Sequence, residues 1–358
     1  LVAARRKAAS AAAEAAASGD AFTEARARMV AGVVELWDGR PGDAIGHLQT
    51  GLDLAWSQHH VVLADRCGRW LTAARVEAGD YEPARALAEP LLARADERND
   101  ASVGVGVRAA LSSLWRELGD LDEARRLASE AIILARGRSV ASDALAEAHL
   151  TRVHGELDGR LLPADAAAAS DLEARPDPVA IAEEHLREID ELLGHDPWLS
   201  WRLGARAELA RARLALTLDD LDRAQHAIEQ ARRRLGEAAA GRERVEADRL
   251  EGEVLVRLGY PAGVTHVEQA LSGARRFGSP FVVATVMVTL ARLSSSTEPS
   301  RTQESLARLE KTLDELDARA PAGRSGMVRA SALALEARRL RGWAPVPESE
   351  RVPEGDRS

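Results

Sequence analysis

The 358-residue sequence lacks most of what would tie it to a particular chemistry. It has a single cysteine, Cys67, so no disulfide can close within the chain, and a reducing cytoplasm suits it. Cys67 stands in ADRCGRW between two arginines, which would lower the thiol pKa if they reached it; otherwise it is a small buried helix residue. Aromatic residues make up only 3% of the chain against 46% hydrophobic, so the interior must be alanine, leucine and valine. Prolines are few and β-branched runs short, which predicts an all-helical chain. No run approaches the 18 consecutive apolar residues of a membrane span. Lys7 and Lys311 are the only lysines among 48 basic residues, and the formal charge of -9 argues against a nucleic-acid surface. G-x-x-x-x-G-K-[ST], C-x-x-C, H-E-x-x-H and G-x-S-x-G are all absent, so neither catalysis nor a bound cofactor or metal is expected.

What the chain does have is a rhythm. In LSSLWRELGDLDEARRLASEAIILAR, residues 111–136, two apolar stripes with helical spacing flank a Gly-Asp turn. Gly119 can take the left-handed conformation that ends a helix, Asp120 can cap the next with Glu123 answering, and Ala124 is small enough for a close crossing. Gly39, Gly79, Gly119 and Gly159 recur every 40 residues, each with an alanine five positions later. After a step of 60, Asp219 and Gly259 resume the interval, and Pro299 continues it weakly. Such a period is the mark of a solenoid built from helical hairpins.

The spacing predicts first helices near 21–38, 60–78, 102–118, 139–157, 197–218, 241–258 and 279–294, with a last one near 325–342. Second helices fall near 41–56, 81–97, 121–136, 178–194, 221–236, 261–276 and 301–319. Asp80 and Asp220 are expected to cap as Asp120 does. Residues 1–20 read as the second helix of a preceding unit, which makes the sequence part of a longer protein. Units one to four then occupy 21–157, up to the first helix of the fourth. Residues 158–177 read as an insertion loop, 178–343 as the remaining units with a capping helix, and 344–358 as a disordered tail too polar to order itself.

The turns AGDYEPARAL (78–87), LGDLDEARRL (118–127) and LDDLDRAQHAI (218–228) resemble those of the tetratricopeptide repeat family, and LGYPAGVTHV (258–267) keeps the Gly. The likeness spans about residues 20–320, and the 40-residue period exceeds the family's usual ~34. Long, Arg/Ala/Leu-rich repeats are similar to the arrays of bacterial LuxR-type, maltose-activator-like signalling ATPases. The resemblance implies an α-α superhelix, a TPR-like solenoid of helical hairpins serving as the C-terminal sensor or oligomerisation region of a cytoplasmic bacterial regulator. A HEAT-like solenoid is the second architecture, disfavoured by the Gly-Asp turn.

By the same resemblance, the first helices line a concave binding face. Counting back from each turn selects Arg69, Ala73 and Glu77; Ala109, Ser113, Arg116 and Glu117; Leu209, Arg213 and Leu216; and Arg249, Glu253, Val256 and Arg257. The partner-binding set is Arg69, Ser113, Arg116, Arg213, Arg249, Glu253 and Arg257, whose arginines would pair with the carboxylates of a protein or peptide ligand or simply meet solvent. Self-association is a further expectation; contact with nucleic acid or membrane is not. The alternative is a receptor for a small molecule or signal peptide, with 158–177 closing over the groove. His149, His154 and His185 lack the convergent spacing of metal ligands. Trp70 and Trp115 read as core, and Trp198 and Trp201 as core or a partner anchor.

Overall fold

A computed structural model describes residues 2–138, 140–159, 177–236, 241–295, 299–324 and 326–343. Among the described residues the chain is all-α and without strands. The elements are α1 (Val2–Ser18), α2 (Ala21–Trp37), α3 (Pro41–Ser57), α4 (Val61–Ala78), α5 (Tyr81–Glu97), α6 (Ala101–Leu118), α7 (Leu121–Ala135) and α8 (Ser142–Gly159). They continue as α9 (Pro178–His195), α10 (Ala205–Thr217), α11 (Leu221–Leu235), α12 (Gly241–Arg257), α13 (Ala262–Phe277), α14 (Pro280–Ser294), α15 (Pro299–Ala318) and α16 (Ala332–Trp343). Consecutive helices pair as hairpins, α2 with α3 through α14 with α15. The first helices also pack on one another, α4 on α6 and α12 on α14, forming an inner layer. The result is a solenoid-like superhelix whose core is leucine and alanine, with Leu48, Leu71, Leu91, Leu114, Leu150, Leu214, Leu250 and Leu309 fully buried.

The turns work as their chemistry predicts. Gly39, Gly79, Gly119 and Gly259 all have φ between 76° and 96°, and Asp219 takes φ 59° in the glycine's place, a conformation aspartate tolerates. Asp120 and Asp220 accept from the backbone N–H groups of Glu123 and Arg223. Asp80 differs from expectation, since its side chain makes no capping hydrogen bond.

Two helix starts also depart from the simple repeat. Residues 197–204 form a 3-10 turn, Pro197–Leu199, and then a π turn, Ser200–Gly204, before α10 begins. The last helix was expected from 325. Instead Gly326 takes φ 88°, Val328–Ala330 form a 3-10 turn, and extended Ser331 caps α16 by accepting from the N–H of Ala334. The expected insertion lies outside the described residues except for Asp158, Gly159 and Asp177, and the expected tail lies wholly outside them.

The spiral returns on itself every five hairpins. The Gly39 carbonyl lies against Gly241 at the start of α12, Gly79 against Pro280 at the start of α14, and Gly119 against Ser331 before α16. Each turn thus seats on the first helix five units further on. Ala322 N–H donates to Glu82 at 3.3 Å, and Arg324 stands 3.7 Å from Asp120 and over the Trp115 ring. Gly259, by contrast, has nothing within 4 Å of where a Cβ would stand. Leu258 beside it is 43% exposed, whereas the equivalent Leu118 is 0% exposed. Closing the spiral turns an open concave groove into a chamber. Among the described residues no helix is long and apolar enough to cross a membrane.

Candidate functional site

Because each first helix shows one stripe to the superhelix axis, residues spaced three and four apart on different helices converge there. On α12 the stripe is Glu243, Glu246, Arg249, Glu253 and Arg257; on α8 it ends in His154 and Asp158; on α14 it runs from Phe281 through Thr285 and Thr289 to Arg292. With Arg116 and Glu117 of α6 and Leu209, Arg213 and Leu216 of α10 they enclose a cavity of about 610 Å³. Seven arginines and seven carboxylates line it, with apolar patches of Leu209, Leu250, Phe281, Val282 and Val286 between them.

The charges form two networks. At one end Asp158 accepts from Arg116 at 2.9 Å and from Arg213 at 2.6 Å. Arg213 also donates to His154 Nδ1 at 2.8 Å. Glu253 accepts from Arg257 at 2.7 Å and Arg292 at 2.8 Å and lies 3.5 Å from Arg249. Arg249 grips Glu246 through two bonds of 2.8 and 2.6 Å and donates to Thr289. The second network runs from Arg206, Arg242 and Glu243 out of this cavity: Arg202, which does not line it, donates to Glu77 at 2.7 Å and Glu243 at 3.3 Å, and Arg206 pairs with Glu147. There Glu117 accepts from Arg242 at 2.6 Å and from the buried Tyr81 hydroxyl at 2.8 Å.

Protonation follows from this geometry. Burial pushes the Asp158 carboxyl up, but the Arg213 and Arg116 guanidiniums outweigh it and hold it below its usual value. Burial likewise opposes ionisation of Glu246, and Arg249 overrides it, bringing the pKa down to about 2. His154 is held well below the usual imidazole value by burial and then by Arg213, so it stands neutral and its Nδ1 can accept a hydrogen bond from Arg213. Asp158 and Glu246 are therefore held as carboxylates at neutral pH.

The structure brings five of the seven residues selected by sequence, Arg116, Arg213, Arg249, Glu253 and Arg257, onto this one cavity. Arg69 and Ser113 line a smaller neighbouring cavity of about 70 Å³, beside Trp37, Trp70 and Trp201. There Arg69 lies over the Trp70 ring at 4.4 Å and pairs with Asp143, and Ser113 shares a 3.1 Å hydrogen bond with Thr151. Of the wider set, Val256 lines neither cavity. The five arginines among the seven are each paired within the chain rather than bare.

Sequence reasoning missed Asp158, His154, Arg202, Arg242, Glu243 and Arg292. Counting back from Gly159 lands on the wrong face of α8, α14 has no glycine after it, and the π turn shifts the phase before α10. The four-residue spacing of His154 to Asp158 and of Glu253 to Arg257 was the available signal.

Elsewhere, burial drives the Cys67 thiol up to about 12, opposite to the effect expected of its flanking arginines. Arg66 is exposed and Arg69 is engaged by Asp143. Trp115 is buried, whereas Trp198 is exposed and stacks on Trp37 at 5.2 Å. His149 and His185 meet through their Nδ1 atoms at 2.9 Å. Among the described residues no three histidine, cysteine or acidic side chains gather as metal ligands. The chain matches no family model and no curated protein.

Proposed function

We propose that the chain is a non-catalytic binding module that takes a peptide into the axial chamber. The observation that carries this reading is the chamber itself, about 610 Å³ and lined by charged side chains from six helices, α6, α8, α10, α12, α14 and α16. Ligand pockets run from about 300 to 1,000 Å³ and orient their contents with a few fixed polar groups on an apolar wall. A folded partner does not fit inside such a space; an extended segment does. The mixed lining of guanidiniums, carboxylates and leucine or valine suits a peptide, which carries all three complements. A small polar molecule is the second reading, favoured by the same volume.

The tetratricopeptide-like turns support placing the module in a cytoplasmic bacterial regulator, as its C-terminal sensor or oligomerisation region, where filling the chamber would alter the spiral. Calorimetric titration with synthetic peptides of three to ten residues tests the reading. Binding that weakens at least tenfold in Arg213→Gln supports it. Heats equal to dilution for every length at millimolar peptide reject it.

A further inference from the structure

The contact that closes the spiral is left open at both rims of the molecule. Where a turn seats on the helix start five hairpins on, the residues flanking its glycine are covered: Tyr81 and Leu118 are 0% exposed and Leu121 7%. The later turns, at Asp219 and Gly259, carry the same kind of surface uncovered. Residues 217–220 and 258–261 are exposed throughout, Leu218 by 45%, Leu258 by 43% and Tyr260 by 58%. Arg257, donating to the Leu216 carbonyl at 2.8 Å, ties these two turns into one edge. At the opposite rim the starts of α2 and α4 are uncovered as well. Phe22 and Val62, the second residues of those helices, are 40% and 54% exposed. Their counterparts at the seated starts of α12, α14 and α16, Arg242, Phe281 and Leu333, are half-buried. His60 lies against Phe22 with ring centroids 4.6 Å apart, so Phe22, His60 and Val62 make one patch.

We infer that a second copy of this chain supplies the missing layer: the start edge of one copy, Phe22, His60 and Val62, seats on the turn edge of the next, Leu218, Leu258 and Tyr260, and the superhelix continues head to tail. Continuity with the existing contact points to this occupant. One chain carries both the surface and its complement, and three instances of their contact are already built into it. A solenoid that stays single needs polar outer faces at its ends, and exposed apolar ends mark a contact. The polar groups fit the same arrangement. In the built contacts an acidic turn meets donors of the layer on which it seats: Asp120 lies 3.7 Å from Arg324, and Glu82 accepts from the Ala322 N–H. On the open turn edge the Asp219 side chain is 85% exposed, with Arg257 3.4 Å away, and Asp220 caps α11. On the start edge Asp20 and Asp100 are taken up in capping Thr23 and Val103, and Arg98 is held by Asp65. His59 and His60 remain as exposed donors. Seating α4 on the Asp219 turn sets those imidazoles against the carboxylates and Val62 against Leu218. Because the two surfaces differ, the contact is heterologous and propagates instead of closing as a two-fold dimer.

None of this depends on what the chamber binds. Sedimentation velocity and light scattering of the unsubstituted chain, from about 1 µM to about 1 mM, test it. The average mass should rise continuously with concentration and pass that of a dimer without a plateau. Leu218→Arg/Leu258→Arg on the turn edge and Phe22→Glu/Val62→Glu on the start edge should each stay single. An equimolar mixture of the two variants should pair one to one and stop there, since each retains one intact edge. An unsubstituted chain that stays single throughout the range overturns the proposal, and so does growth that ends at a dimer. Association of either variant alone, or failure of the mixture to pair while both variants keep the unfolding midpoint of the unsubstituted chain, overturns it too. Should a variant misfold, disulfide cross-linking in a Cys67→Ala background decides. A Val62→Cys chain mixed with a Leu218→Cys chain should cross-link to its opposite, and cross-links confined to like chains would refute the head-to-tail contact.

Discussion

Gly119→Ala and Gly259→Ala form a pair that isolates the closure of the spiral. Both glycines end a first helix with positive φ, 96° and 86°, so a Cβ carries the same left-handed penalty of about 1–2 kcal/mol at each. Their surroundings differ. At Gly119 the added Cβ would lie 2.6 Å from the Ser331 Cβ and 2.9 Å from its Cα, so the backbone entering α16 must move. At Gly259 it would meet nothing within 4 Å. Forcing atoms into a packed contact costs about 1–3 kcal/mol more. Gly119→Ala should therefore lose about 2–5 kcal/mol and Gly259→Ala about 1–2. Urea unfolding followed at 222 nm gives the totals, and amide exchange in α16 shows where the difference lies, with faster exchange there in Gly119→Ala alone. Equal losses and unchanged exchange in α16 would refute the contact between successive turns of the superhelix.

Four further outcomes follow from the charges and the buried groups. Glu253→Ala leaves Arg249, Arg257 and Arg292 without their shared carboxylate and should cost about 3–5 kcal/mol in urea, whereas Glu304→Ala, in an exposed pair with Arg308, should leave the unfolding midpoint in place. Burial lowers the pKa of His149 and His185 to about 4, so the unfolded chain takes up protons first as the pH falls below about 6.5. Stability should be complete above pH 6.5 and decline toward pH 4 by up to about 1.4 kcal/mol per unit for each histidine, a slope that His149→Gln/His185→Gln flattens. Glu246, held down to about 2, adds a second decline between about pH 4.5 and 2 that Glu246→Gln removes. Cys67 should react with a thiol reagent at pH 8 only at the rate of unfolding, and rapid labelling of the native protein would contradict its burial.

Local chemistry was legible and cumulative geometry was not. The helices between Gly39, Gly79 and Gly119 follow from residues within five positions of each turn, and their limits agree with the sequence reading to within a residue or two. Contacts such as Gly119 with Ser331 arise from small rotations summed over five hairpins, and no residue near either position encodes that sum. The site divides the same way. Arg116, Arg213 and Arg249 were found because their place is fixed by the turn that follows. Glu243 and Arg242 stand at the opposite end of the same helix, where only the returning spiral brings Glu117 to meet Arg242. Cys67 is the small buried helix residue of the sequence reading, and its flanking arginines do not lower the thiol because neighbours in sequence along a helix face different ways: Arg66 points to solvent while the thiol is buried.

The claim on which the chamber depends is that the seventh hairpin returns to the second, and a distance between spin labels measures it. In a Cys67→Ala background, labels at Glu82→Cys and Ala322→Cys report on two residues joined by a 3.3 Å hydrogen bond across 240 positions of sequence. The closed spiral predicts a single narrow distribution below about 25 Å, allowing for label arms on helices that pack 8–10 Å apart. An array that stacks without returning separates the same units by about 50 Å, five steps of roughly 10 Å, and a distribution centred there would contradict the account.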